Sequence, residues 1–246
     1  MADHPIIWCQ EFEGGRSWYT ELGHTEGTYD ELMFRRHLTE GIVWAANARP
    51  RPDSVALPLS EWKAAGDWKA LGSSFETTTG NQGILNLFSK REFGDAQVHV
   101  EFRVPKGGNS GVYLQGRYEI QILDSYGVPN RDLLSSMCGS VYERWKDDKG
   151  YEGHPPLINA AKPAGEWQSF DIVFRAPRFK NGKKVQNAAF LEVRLNGVVV
   201  QHHVEITGPT RASYFEDEKP TAPLMLQGDH GPIAFRNVRI TPLKLP

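Results

Sequence analysis

The chain of 246 residues is 39% hydrophobic and 24% charged, with 24 Gly, 16 Pro and a formal net charge of -2. That length admits one or two domains and is enough for a real core. The near-neutral balance gives no footprint for nucleic acid, and no apolar run approaches the ~18 residues of a membrane span, so neither is expected as a partner. No basic segment followed by an apolar run opens the chain, so no signal peptide is visible. Cys9 and Cys138 lie outside any CxxC spacing and are expected to be reduced, mostly buried thiols.

In chain order, residues 5–12 read as a short strand, 13–16 as a tight turn and 17–22 as the return strand of a hairpin. Thr28 and Glu31 have the spacing of a capping box. From there Leu32, Phe34, Leu38, Ile42 and Ala45 recur at helical spacing, with Arg35, Arg36 and Glu40 left for solvent. The helix should stop by residues 47–50, because Pro50 and Pro52 hold the next segment extended. A hairpin and one helix are too small for an independent core. Trp8, Trp18 and Trp44 therefore need a surface, either the rest of the chain or a second copy met through the helix.

From about residue 60 the pattern changes to short strands separated by Gly, Pro and Asn turns. Alternation is clearest at 97–104, 112–115 and 118–123, with further strands at 168–175, 189–195, 198–203 and 233–240. Asn196-Gly197 is the strongest hairpin signal. Such a series argues for two packed antiparallel sheets. Residues 125–164 break it as a loop-rich insertion holding Tyr126, Tyr142, Trp145, Tyr151 and His154, and insertions of this length are more often functional than idle.

Alternation places Glu119 and Gln121 on one face of a strand and Ile120 and Ile122 on the other. Tyr113 and Gln115 would line the same face of the preceding strand, and Asp124 opens into the insertion. Neighbouring glycines permit close approach. A solvated face would look the same, but carboxylates beside aromatic rings such as Trp145 suit sugars: rings stack on the apolar sugar face and carboxylates take hydroxyl hydrogens or move protons. A second cluster is Gln227-Gly228-Asp229-His230-Gly231, where His230 is the best titratable candidate. Just beyond it, Arg236 could hold a substrate oxygen. Metalloprotease, EF-hand, nucleophile-elbow, phosphate-loop and dinucleotide motifs are absent. No cofactor is called for by a motif. A divalent metal (calcium, manganese or zinc) would need Glu119 and Asp229, with Asp124 and His230 as further donors.

Residues 61–243 resemble the 3-keto-disaccharide hydrolase domain, formerly a domain of unknown function. The ordered matches are Glu92-Phe93-Gly94-Asp95, Glu101-Phe102-Arg103, Gly108-Asn109-Ser110-Gly111-Val112-Tyr113-Leu114 and Tyr118-Glu119-Ile120-Gln121-Ile122-Leu123-Asp124. Cys138-Gly139-Ser140-Val141-Tyr142, Gly165-Glu166-Trp167-Gln168, Leu195-Asn196-Gly197 and Pro232 with Phe235-Arg236-Asn237-Val238 follow. The family's Gln-Asp-His-Gly turn carries an extra glycine here. Ile7-Trp8, Gly15-Arg16, Tyr19-Thr20, Leu22-Gly23-His24-Thr25 and Phe34-Arg35-Arg36-His37-Leu38 are similar to the C-terminal end of a trehalose-utilisation (ThuA-like) domain, in whose parent fold His24 would be a candidate functional residue.

These resemblances imply a mainly β protein: a concanavalin A-like, laminarinase-like jelly-roll sandwich of two antiparallel sheets with a small N-terminal hairpin-plus-helix appendage. The expected division is residues 1–48 as the ThuA-like remnant, 49–59 as linker and 60–246 as the jelly roll. They also imply a sugar or keto-sugar substrate and a functional cleft holding Glu119, Gln121, Asp124, His230 and Arg236. A periplasmic or secreted location follows only from the family. The expected chemistry is cleavage or hydration of 3-keto-glycosides, with Glu119 or His230 as base. A two-carboxylate glycosidase and a non-catalytic carbohydrate-binding module stand as rivals.

Overall fold

A computed structural model describes residues 7–12, 15–22, 25–46, 55–64, 68–71, 74–77 and 86–245. The chain divides into two compact units, Met1–Ser54 and Val55–Pro246.

In the first unit the strands Ile7–Phe12 and Gly15–Thr20 form the expected hairpin, with Trp8 opposite Tyr19 and their rings stacked at 5.4 Å. His24 lies outside the described residues. Thr28 and Glu31 do not form a capping box: residues Glu26–Asp30 make a 3-10 turn, and Glu31 is extended before the helix Leu32–Ala46. The helix packs through Gly41, where an added Cβ would stand 2.2 Å from the Trp18 ring. His37 leans on Trp18 at 4.8 Å and meets Thr20 Oγ1 at 3.1 Å, and Phe34 is buried. Ile42, expected inward, is exposed. The contact stripe runs Phe34, His37, Gly41, which puts residue 42 one step (~100°) off it. A glycine that serves as a landing site for tryptophan carries no hydrophobic signal of its own.

The second unit is the expected jelly-roll sandwich. One sheet has five strands, in the order Tyr118–Leu123, Asn109–Leu114, Ala222–Leu226, Leu87–Phe93, Trp62–Ala64. The larger sheet runs Val198–Ile206, Ala188–Leu195, Gln168–Arg175, Ala96–Arg103, Ile233–Pro242, Ser74–Thr77, Trp68–Leu71, with Val55–Ala56 also pairing to Ile233–Pro242. All pairings are antiparallel. Asn196 and Gly197 both have positive φ (53° and 82°), as a two-residue I′ hairpin requires. Between the sheets, Val98, Val100, Phe102, Phe170, Ile172 and Phe174 meet Val112, Leu114, Tyr118, Ile120, Ile122, Leu224 and Leu226 in one core. Both cysteines are free; Cys138 is buried as expected, but Cys9 is exposed, because it sits on a two-stranded hairpin. No described helix is long and apolar enough to cross a membrane.

Candidate functional site

Because Val112, Ile120 and Ile122 fill the core, strand alternation turns Tyr113, Glu119 and Gln121 to the other face of the five-stranded sheet. Glu119 pairs with Tyr113, and Gln121 with Gly111. A face turned away from the core should be wet, yet Glu119 is only 2% exposed and Tyr113 1%. Loops wall it in. Residues 139–142 of the insertion lie along the edge strand: Gly139 N donates to Gln121 O, Gln121 N to Ser140 O, and Tyr142 N to Glu119 O. Thr210 Oγ1 accepts from Glu119 N at 3.2 Å. On the other side Met225 lies beside Tyr113 and Phe88 beside Met225, so apolar surface adjoins the carboxyl.

Burial pushes Glu119 up from 4.5 to about 8; a hydrogen bond with the Tyr113 hydroxyl opposes the shift, and the charge of Asp229 adds to it. Glu119 Oε2 is buried with no hydrogen-bond partner. The carboxyl fits only because residue 111 is glycine, since an added Cβ would lie 2.3 Å from Glu119 Oε1. Tyr113 is itself raised well above its ordinary value by burial and by Glu119, and its hydroxyl accepts from Gln227 Nε2 at 3.4 Å. Gln121 donates to Asn109 Oδ1 at 3.1 Å.

The 227–231 turn hangs from a fixed base. Gln227 N donates to Gly111 O, Gln227 O accepts from Ser110 Oγ at 2.7 Å, and Gly228 N donates to Asn86 Oδ1 at 3.0 Å. Beyond it, Asp229 Oδ1 lies 2.6 Å from His230 Nδ1. That hydrogen bond raises the histidine above its usual 6.5, with burial opposing and the aspartate charge assisting. The third wall is cationic. Arg211 stacks 3.6 Å over the Trp145 ring and stands 3.7 Å from Glu143. The guanidinium also lies near the Tyr142 phenol, which burial raises and the Arg211 charge lowers, with Glu119 near enough to raise it.

Glu119, Tyr113 and Gln121 thus share one walled face, with the Asp229–His230 pair adjoining. Other expected residues do other work. Asp124 accepts from Gly107 N at 2.9 Å and fastens the turn before Asn109. Gln115 does not line the face beside Tyr113. Its φ of 57° breaks the alternation, and its amide instead donates to Phe93 O and Pro220 O, both at 3.1 Å. Arg236 belongs to the other sheet. Phe235 next to it points into the core, and the guanidinium turns outward to Glu101 Oε2 at 2.6 Å and over Trp167 at 4.0 Å, away from the Glu119 face. Trp145 is 42% exposed but has one ring face covered by Arg211. Sequence reading missed Arg211 altogether, since it lies in a loop with no periodic pattern or motif around it.

For a metal, the donor set fits poorly. Among the described residues no three His, Cys, Asp or Glu side chains converge to hold an ion. Of the two expected oxygen donors, Asp229 is engaged by His230.

The jelly roll with its walled polar sheet face has a carbohydrate-active, glycosyl hydrolase-like fold. Residues 57–241 match the family described as the 3-keto-alpha-glucoside-1,2-lyase-like domain, and the chain belongs to that family. Residues 1–45 match the trehalose utilisation family. Among solved structures, a candidate glycosyl hydrolase from Parabacteroides distasonis is 33% identical with a TM-score of 0.63, over 78% of this chain and 84% of that one. Two more candidate glycosyl hydrolases from the same organism share the fold. One is 18% identical (TM-score 0.53, 75% of this chain and 90% of that one), the other 19% (TM-score 0.52, 77% and 100%). Among curated proteins none matches closely enough to count as a relative.

Proposed function

We propose that the second unit cleaves 3-keto-glycosides by 1,2-elimination, with His230 as base and Glu119 as acid. A carbonyl at C3 acidifies the hydrogen on C2. His230 Nε2 takes that proton, its Nδ1 proton being held by Asp229. The electron pair becomes the C1=C2 bond as the C1–O bond breaks, and the departing oxygen takes the proton of Glu119. Solvent then returns a proton to Glu119 and removes one from His230; water can add to the unsaturated product later. Gln121 and Tyr113 orient the sugar.

The observation that carries this reading is the burial of the Glu119 carboxyl, 2% exposed and with Oε2 unpartnered. A carboxyl at about 8 with one oxygen unpartnered is protonated at neutral pH and close enough to ionisation to give the proton up. The family match supports the substrate class. Two-carboxylate hydrolysis is less favoured, because Asp229, the carboxylate adjoining Glu119, is hydrogen-bonded to His230.

Leaving groups provide the test. With a sugar as leaving group, Glu119→Gln should lose ~10²- to 10⁴-fold in turnover. With 4-nitrophenolate, which departs without a proton, the loss should be under ~10-fold. Equal losses on both substrates would make Glu119 the base instead. Glycan binding with no turnover of any keto sugar, with or without added divalent metal, would favour the binding-module rival.

A further inference from the structure

We propose that Arg211 and Tyr142 recognise the C3 oxygen of the keto sugar and stabilise the negative charge that gathers on it when C2 loses its proton; this rests on the elimination reading of the same sheet face. An enolate needs donors aimed at its oxygen, and neither Glu119 nor the Asp229–His230 pair is free to supply them. Residue 141 packs in the core, so residue 142 turns to the Glu119 face, and Tyr142 N is bonded to Glu119 O at 3.1 Å. Its phenol therefore stands beside the acid.

Arg211 meets the chain at Glu143, the residue next to Tyr142, and is held on three sides. Its backbone N donates to Glu143 O at 2.8 Å, its guanidinium stacks 3.6 Å over Trp145, and Glu143 stands 3.7 Å away. Its side chain is nevertheless 43% exposed, which leaves donors for a ligand. Guanidinium has only donors, and a phenol beside it is polarised to donate. Such a pair favours a carbonyl oxygen, which only accepts, and favours an enolate oxygen more strongly. Trp145 is then a positioning residue that aims Arg211, which explains why an exposed tryptophan has one face already occupied.

The test measures turnover and calorimetric binding of a 3-keto-glucoside and its unoxidised parent, using the full chain and Arg211→Met, Arg211→Lys, Tyr142→Phe and Trp145→Leu. Thermal melts confirm folding. Arg211→Met should lose ~10²-fold or more in kcat with a smaller change in KM, and added guanidinium should restore part of the loss. Arg211→Lys keeps the charge without the planar stacking, so it should fall between. If wild type turns over and both Arg211→Met and Tyr142→Phe stay within about threefold, the proposal is wrong while elimination stands. A preference for keto sugar that vanishes in Arg211→Met, without turnover in wild type, upholds the recognition and rejects elimination. Equal wild-type binding of both sugars with no turnover overturns both.

Discussion

Gly111 lies directly beneath the Glu119 carboxyl: an added Cβ would stand 2.3 Å from Oε1 and 2.8 Å from Tyr113 Cε2. The two strands are paired in register here, so the carboxyl can fold over the neighbouring strand only where no side chain rises. Gly111→Ala should therefore displace Glu119 and cost turnover ~10²-fold, with a stability loss of about 1–3 kcal/mol from overpacking. Steady-state kinetics alongside urea unfolding checks both. Unchanged turnover would mean the position of Glu119 is irrelevant to the chemistry.

Burial of Glu119 should also be visible in stability. Its value rises from 4.5 to about 8 on folding, so between those values the native state holds a proton that the unfolded state has released. The sign is fixed: the contribution is fully present below 4.5 and is lost as pH rises through about 8. Glu119→Gln has no such dependence. Urea unfolding at pH 5 and pH 9 should show the variant gaining on wild type by a few kcal/mol at the higher pH. A difference between the two proteins that does not change with pH would contradict the burial argument.

Much of this was readable beforehand, and the failures have physical causes. Period-2 alternation located the strands and placed Glu119 and Gln121 on one face, because one side of each strand must fill the core. Gln115 was misplaced because a single left-handed residue ends alternation without a hydrophobic signature. Arg236 was misplaced because alternation tells which face a side chain takes but not which sheet its strand joins. Arg211 was invisible: its position depends on a loop meeting residue 143 across 68 residues of chain, and no local pattern encodes that meeting.

The acid and base should appear as two limbs of the pH–rate profile. Turnover should rise as His230 loses its ring proton, above the usual 6.5, and fall as Glu119 ionises near 8. Asp229 raises both groups, so Asp229→Asn should move both limbs to lower pH. It should also cost ~10²-fold or more at the optimum, since the imidazole loses its orienting carboxylate. A variant that loses activity while both limbs stay in place would show that Asp229 supports the fold rather than the titration.

In the proposed elimination a C3 carbonyl, not glycosidic-bond protonation alone, makes the sugar cleavable. The most direct measurement offers wild type a 3-keto-glucoside, the same compound deuterated at C2, and the unoxidised parent glucoside under one set of conditions. Turnover should be confined to the keto sugar and slowed by deuterium at C2, because that C–H bond breaks during the reaction. Turnover of the parent at an equal rate, with no effect of deuterium, would contradict the elimination.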